Sequence, residues 1–197
     1  MSRRERELKV VFVTKNRHKF MEAKAIAESM GITLVQCRLK KVEIQSYDLR
    51  EIALFSSRYV RSKLKDSTYL VEDAGLFVSY LNGFPGPYSS YVYKTIGCEG
   101  ILKLLEGVDD REAVFKSVVV LYGPLLGEKI FEGETKGIIA NSMRGERGFG
   151  FDPIFIPEGL KSTYAELTLD EKNQVSHRAK AIKKALNFIK NRLKEEI

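Results

Sequence analysis

Two adjacent carboxylates, Glu72 and Asp73, stand where an apolar run of the sequence gives way to polar residues. Residues 69–71 are typical of a buried strand, and the small residues Ala74 and Gly75 follow the acids. Burying a carboxylate is costly unless it is paired, hydrogen-bonded or bound to a cation, and small neighbours let a ligand approach closely. An isolated pair of acids is more often a solvated strand end. Whether Glu72 and Asp73 form a functional site or a solvated strand end therefore depends on the other segments of the chain.

Glu43 is a candidate partner for these acids. A single Glu between lysines is usually a surface residue, but with Asp73 it could complete an oxygen site for Mg²⁺, which takes one or two protein carboxylates plus substrate phosphates. The chain's two histidines, His18 and His177, have no metal-ligand spacing. A hard cation is therefore favoured over zinc.

A second polar segment, TKNRHK at residues 14–19, lies between a predicted strand and a predicted helix. Free N–H groups at a helix N-terminus favour phosphate, and Lys15 and Lys19 would add positive charge. The spacing is not that of a P-loop. Taken alone, the segment is more typical of an ordinary helix cap followed by surface lysines.

Two further segments could recognise the rest of a nucleotide. Phe149 stands between glycines in GFGFDP, where its ring could stack on a flat base, although a tight loop with a core phenylalanine explains it equally well. His177 and Arg178 follow Lys172 by a few residues and are otherwise typical of a solvated helix face. No Ser-His-Asp or Cys-His signature is present. Metal-assisted attack of water on a phosphate is the simplest chemistry for this set.

Composition sets the limits on fold, partners and compartment. The chain has 197 residues, 44% apolar and 30% charged, which predicts one globular domain over residues 1–197. No run approaches the roughly 18 apolar residues of a membrane helix, and the apolar run at 10–13 is too short for a signal sequence. We expect a cytoplasmic protein without membrane contact, with Cys37 and Cys98 as buried free thiols. The net charge of +7 favours binding to a polyanion. The basic residues do not form one stripe interleaved with aromatic residues, which favours a small phosphate-bearing ligand over stable nucleic-acid binding.

Periodicity predicts the elements that must position these residues. Strands are expected at 8–14, 32–37, 69–73, 113–122 and 129–139, and helices at 17–30, 47–65 and 98–106. Asn16 is the expected cap of the first helix. The last helix should begin with a capping box at Thr168–Glu171 and bury Ile182, Leu186, Ile189 and Leu193. Alternating strands and helices followed by a hairpin predict an α/β fold with a mixed sheet.

Five motifs in this order resemble the inosine triphosphate pyrophosphatases, also described as XTP/dITP diphosphatases. They are TKNRHK (14–19), VEDAGL (71–76) with GFPGPYSS (83–90), FGFDP (149–153), EKN (171–173) and SHR (176–178). The resemblance implies an elongated mixed β-sheet flanked by helices, with two lobes around a central nucleotide-binding cleft, usually as a homodimer. It also implies Mg²⁺-dependent cleavage of non-standard purine triphosphates (ITP, dITP and XTP) to the monophosphate and pyrophosphate.

The resemblance further implies a role for each matching residue. Asp73 would orient or deprotonate the attacking water and bind Mg²⁺ with Glu43, and Glu72 is a possible further ligand. Phe149 would stack on the base, and Arg178 or a cationic His177 would donate to its 6-keto oxygen, which adenine lacks. Thr14, Asn16, Lys19 and Lys172 would hold the phosphates, and Asp152 would line the base end with His177 and Arg178. The full substrate-binding set implied by the resemblance is Thr14, Lys15, Asn16, Lys19, Ala74, Phe149, Gly150, Phe151, Asp152, Lys172, His177 and Arg178.

Two residues depart from the family pattern. Lys15 replaces a glycine or other small residue, so the phosphate loop could differ in shape. Ala74 replaces a serine and removes a hydroxyl. Two alternatives therefore stay open: a related pyrophosphatase for other modified nucleotides, and a basic nucleic-acid-binding module that needs neither Glu43 nor Asp73.

Overall fold

The computed structural model describes the backbone of residues 8–195 and the side chains of residues 8–192. The strands are β1 (Lys9–Val13), β2 (Thr33–Cys37), β3 (Tyr69–Val78), β4 (Pro85–Gly86), β5 (Glu112–Gly123), β6 (Gly127–Ile139) and β7 (Phe155–Pro157). The helices are α1 (Arg17–Ser29), α2 (Leu49–Arg61), α3 (Ser89–Thr95), α4 (Gly97–Leu104), α5 (Leu169–Val175) and α6 (His177–Glu195). The expected α/β class is confirmed.

The strands form one mixed sheet in the order β2-β1-β3-β5-β6-β7, with β4 paired to β3. β1 is parallel to both of its neighbours, whereas β3, β5, β6 and β7 pair antiparallel. The parallel part contains the strand-helix alternation and the antiparallel part contains the long hairpin, because antiparallel strands need only a short turn between them.

Two cores occupy different ends of the long strands, which produces two lobes. In the first lobe α1 and α6 pack on one face of β1, β3 and β5 around Phe12, Leu70 and Ile182, and α2 covers the opposite face. In the second lobe α3 and α4 pack around Leu76 and Phe115. β3 and β5 run through both lobes, so residues in the middle of these strands lie between the two cores.

The third strand does not end at Glu72 and Asp73, as its apolar run suggested. β3 continues to Val78 and pairs with β5 along its whole length, while β1 pairs only with residues 69–71. The acids therefore lie where β3 passes beyond the end of β1. The change from apolar to acidic residues reflects the loss of that neighbour, which only the sheet topology decides.

Local signals placed two helix starts correctly, whereas the helix predicted at 47–65 is shorter and spans Leu49–Arg61. The Asn16 side chain caps α1 and accepts a hydrogen bond from the Lys19 N–H, and the capping box at Thr168 and Glu171 begins α5. The single helix expected at the C-terminus is divided at Ser176, which has extended backbone angles. Ile182, Leu186 and Ile189 are buried as expected; Leu193 lies outside the residues whose side chains are described. α3 was not predicted.

Candidate active site

The turn between β1 and α1 is held firmly in place. The Thr14 hydroxyl accepts a hydrogen bond from the Asn16 N–H at 3.1 Å, and Gln36 donates to the Thr14 carbonyl at 3.0 Å. Lys15 is exposed. Among the described residues other than glycine, only Asn82 has a positive φ, so the lysine at position 15 fits this turn without backbone strain.

Glu72 faces α1 and α6 and is fully committed to ion pairs. Its Oε1 accepts hydrogen bonds from the Ser117 hydroxyl at 2.9 Å and Arg178 Nε at 3.0 Å, and its Oε2 lies 2.7 Å from Lys19 Nζ. Burial raises the pKa of Glu72, but the charges of Arg178 and Lys19 outweigh it and lower that pKa well below its usual range. These contacts do not favour Glu72 as a metal ligand.

Asp73 faces the opposite side of the sheet, because successive side chains of a strand alternate. Among residues 8–192, no group donates a hydrogen bond to its carboxylate in the structure. Burial, with the nearby charges of Glu72 and Glu43, raises the pKa of Asp73 to about 6 against the opposing effect of Lys19 and Lys41. A carboxylate with a pKa near neutrality is suited to accept a proton from water.

Lys41, which sequence reasoning missed, brings Glu43 to this place. Its Nζ lies 3.2 Å from Glu43 Oε1 and donates to the Glu72 backbone carbonyl at 3.0 Å. No cluster of three or more acidic, His or Cys ligands exists among the described residues. Two neighbouring carboxylates whose charges repel each other nevertheless fit Mg²⁺, which completes its shell with water and phosphate oxygens.

A buried network of ion pairs extends from Glu72 on the α1 and α6 side of the sheet. Its central member, Glu22, was not predicted. Lys172 Nζ lies 2.7 Å from Glu22 Oε1 and 2.5 Å from Asp152 Oδ2, and Arg178 pairs with both Glu22 and Glu72. One signal was present in the sequence: Glu22 follows Lys19 by three residues on the same face of α1 as its core positions.

This network is balanced in charge and continuous. Three carboxylates meet three cations, from Asp152 and Lys172 at one end to Lys19 at the other. Burial raises the pKa of Glu22, yet Arg178 and Lys172 outweigh it and lower that pKa. Buried ion pairs cost desolvation energy and add little net stability. Their presence here therefore indicates a role in the site rather than in the fold.

Phe149 lies at the Asp152 end of this network. Its ring centroid is 5.1 Å from Lys172 Nζ and 5.3 Å from Arg178 Cζ, and its N–H donates to Asp152 Oδ2 at 2.8 Å. Gly148 precedes it with φ +76°, and a Cβ there would overlap the Asp152 carboxylate. Glycine at 148 is thus required for Asp152 to hold the loop.

A cavity of about 210 Å³ opens beside the Phe149 loop. Its lining includes Glu22 and Lys172 from the network together with His18, Gly148 and Tyr164. The cavity therefore offers a ligand an aromatic wall and buried charged groups, which is the composition expected of a small-molecule site.

The structure places other expected binding residues in supporting positions. Phe151 is buried in the second core against Tyr93, so its ring is not available to a ligand. The Gly150 carbonyl accepts a hydrogen bond from Cys98 Sγ. Ala74 lies on β3 opposite Ser117. Cys98 is a buried free thiol as expected, whereas Cys37 is free but partly exposed.

His177 is not the cation that the sequence suggested. Its imidazole is buried and stacks on Phe115 with ring centroids 4.6 Å apart. Burial and the charge of Arg178 lower the pKa of His177 well below its usual range, against the opposing effect of Glu72. The ring is therefore neutral at physiological pH, and its Nδ1 has no hydrogen-bond partner.

The chain belongs to the Ham1 family, whose model matches residues 10–188. It is 46% identical over 187 residues to the dITP/XTP pyrophosphatase of Pyrococcus horikoshii, covering 95% of this chain and 100% of that protein. It is 50% identical over 184 residues to the dITP/XTP pyrophosphatase of Methanopyrus kandleri, covering 93% and 97%.

Solved structures of Ham1 proteins share the fold. The Ham1 protein of Staphylococcus aureus matches with a TM-score of 0.77 at 31% identity, over 96% of this chain and 100% of that one. The HAM1 protein of Coxiella burnetii matches with a TM-score of 0.79 at 28% identity, over 93% and 99%. These similarities support the expected two-lobed architecture.

Proposed function

We propose that the protein is a Mg²⁺-dependent nucleoside triphosphate pyrophosphohydrolase, acting as one domain. It converts non-standard purine triphosphates such as ITP, dITP and XTP to the monophosphate and pyrophosphate. The observation that carries this proposal is the buried network that joins Asp152, Lys172 and Arg178 to Glu72, the neighbour of Asp73 on β3. The names of the archaeal relatives support the same activity.

In this proposal Asp73 accepts a proton from the water that cleaves the bond between the α and β phosphates. Mg²⁺, held by Asp73 and Glu43, would neutralise phosphate charge when bound. Lys19 lies beside Glu72 and follows the free N–H groups of the first turn of α1, so both can hold phosphate oxygens. Thr14 and Asn16 keep this turn in shape.

The base is recognised by buried donors. Lys172, which the resemblance placed with the phosphates, lies against the Phe149 ring together with Arg178, and each offers N–H groups toward a 6-keto oxygen. Adenine presents an amino donor at that position, so the N–H group that would bind the 6-keto oxygen has no acceptor in an adenine complex. Leaving such a donor unpaired costs about 1–3 kcal/mol or more, which is the physical basis for rejecting ATP.

We also propose that the protein forms a homodimer through an aromatic surface of the second lobe. Six large side chains lie exposed within 17 residues of sequence: Tyr80, Phe84, Tyr88, Tyr91, Tyr93 and Ile96. Contiguous exposed apolar residues of this kind mark interaction surfaces, and a self-complementary patch produces a twofold dimer. No helix among residues 8–195 is long and apolar enough to cross a membrane; a cytoplasmic location stays part of the proposal.

The deciding experiment is a panel of nucleoside triphosphates with pyrophosphate detection, with Mg²⁺ and with chelator. We expect rapid pyrophosphate release from ITP, dITP and XTP, slow release from ATP and GTP, and none with chelator. Equal rates on ITP and ATP would contradict the selectivity, and faster release from a modified pyrimidine or methylated nucleotide would favour the related pyrophosphatase. Salt-dependent nucleic-acid binding without turnover would favour the binding module.

A further inference from the structure

One ring contact at the base end has no part in the proposed chemistry. His18 lies in the first turn of α1, and its imidazole stacks on Phe149 with ring centroids 5.3 Å apart and planes inclined by 21°. His18 is exposed, whereas Phe149 is partly buried. The stack therefore joins a surface side chain to the ring expected to receive the base.

The groups that contact the Phe149 ring differ in their exposure to solvent. Lys172 and Arg178, which lie over the ring, are each only 3% exposed. His18 is exposed and borders the cavity of about 210 Å³ beside the loop. His18 is thus the exposed neighbour of the Phe149 ring, and Lys172 and Arg178 are its buried neighbours.

The geometry leaves no space for a base between these two rings. Aromatic rings in contact have centroids about 4.5–7 Å apart, and the observed 5.3 Å lies at the close end of that range. A purine that stacks on the face of Phe149 that His18 covers must therefore take the place of the imidazole. Rotation of the His18 side chain suffices, because α1 is held by the Asn16 cap and by its buried face.

We propose that His18 is a cover for Phe149 that a purine base displaces on binding. The inference rests on the proposed function, since it takes the ligand to be a purine nucleotide stacked on Phe149. His18 acts on affinity by competing with the base, and takes no part in cleaving the phosphate bond.

Proton NMR tests the displacement directly, because the chain contains only two histidines. In the free protein the ring current of Phe149 shifts the His18 imidazole signals upfield, and the His18→Ala variant assigns them. Titration with ITP in EDTA should return these signals to the position of a free imidazole. His18 signals that stay shifted at saturating ITP would overturn the cover.

Steady-state kinetics with ITP provide an independent readout. His18→Ala should lower KM about two- to tenfold, the fold-change that corresponds to the loss of one aromatic stack, with the effect on KM rather than on kcat. His18→Phe keeps the stack and should retain or raise KM. Lys24→Ala, which alters an exposed residue of the same helix, is the matched control.

Failure of the cover and failure of the proposed function are distinguishable. An unchanged or raised KM in His18→Ala, with normal turnover of ITP by the wild type, would overturn the cover alone. Absence of pyrophosphate release by the wild type would overturn the proposed function. The NMR titration needs no turnover, so bound ITP that leaves His18 stacked on Phe149 overturns the cover even where the wild type releases pyrophosphate normally.

Discussion

Replacing Asp73 by Asn should abolish turnover and at the same time make the metal-free protein more stable at neutral pH. The fold raises the pKa of Asp73 from an ordinary 3.8 to about 6, so its ionised form is less favourable in the folded than in the unfolded chain. Each pKa unit corresponds to about 1.36 kcal/mol. A difference of about 2 therefore costs the folded wild type about 3 kcal/mol above pH 6, and the neutral amide removes this cost.

The pH dependence has a definite sign. At a pH well below 3.8 the carboxyl is protonated in both states and costs nothing. Between about pH 4 and pH 6 the folded state keeps a proton that the unfolded state has lost, so wild-type stability falls as pH rises. The difference in unfolding free energy between Asp73→Asn and the wild type should therefore grow across this interval and stay constant above it.

Thermal unfolding in EDTA across this pH range measures the effect. For a chain of this size about 3 kcal/mol corresponds to a gain in Tm of roughly 6–12 °C at about pH 7.5, shrinking toward zero near pH 4. Mg²⁺ should then stabilise the wild type more than Asp73→Asn. A variant no more stable than wild type at pH 7.5, or a difference independent of pH, would refute this account of Asp73.

The adjacent carboxylate provides a control of opposite sign. The pKa of Glu72 is lowered, because Arg178 and Lys19 outweigh its burial. Glu72→Gln should therefore destabilise the protein at neutral pH, by about 3–5 kcal/mol for a broken buried pair. If Glu72→Gln and Asp73→Asn both lowered or both raised the unfolding free energy at neutral pH, the two faces of β3 would not differ as described.

Three further predictions concern the network, the loop and the aromatic surface. Glu22→Gln should lower the unfolding free energy by about 3–5 kcal/mol in urea titrations, because Lys172 and Arg178 lose a buried partner; a loss below about 1 kcal/mol would contradict this. Gly148→Ala should reduce kcat/KM for ITP while circular dichroism stays native, because its Cβ meets Asp152; unchanged kinetics would exclude this constraint. Tyr91→Glu should convert the dimer to a folded monomer in light scattering, and a dimer that persists would place the interface elsewhere.

Sequence reasoning predicted the mixed sheet and most of its elements, because their signals are local. Helix caps and apolar periodicity depend on neighbours within a few residues, as at Asn16 and Thr168. It missed α3 and the passage of β3 beyond Asp73, because pairing with β5 keeps that strand extended despite its polar residues. Strand pairing joins segments distant in sequence, and no local pattern reports it.

The sequence by itself determined the residue types available for chemistry and their order: two acids on one strand, a lysine-rich turn, an aromatic loop and a basic helix start. Tertiary structure alone decided which of these groups pair with each other and which stay unpaired. Lys172 and Arg178 meet Glu22 across 150 and 156 residues of chain, so that pairing depends on how α5 and α6 pack against α1. The same packing removes water from Glu72 and His177, whereas Asp73 is partly buried on the opposite face of β3. The pKa of each group depends on that loss of water and on which charges remain nearby. Asp73 has no hydrogen-bond donor among residues 8–192, while its neighbour Glu72 is ion-paired with Lys19 and Arg178.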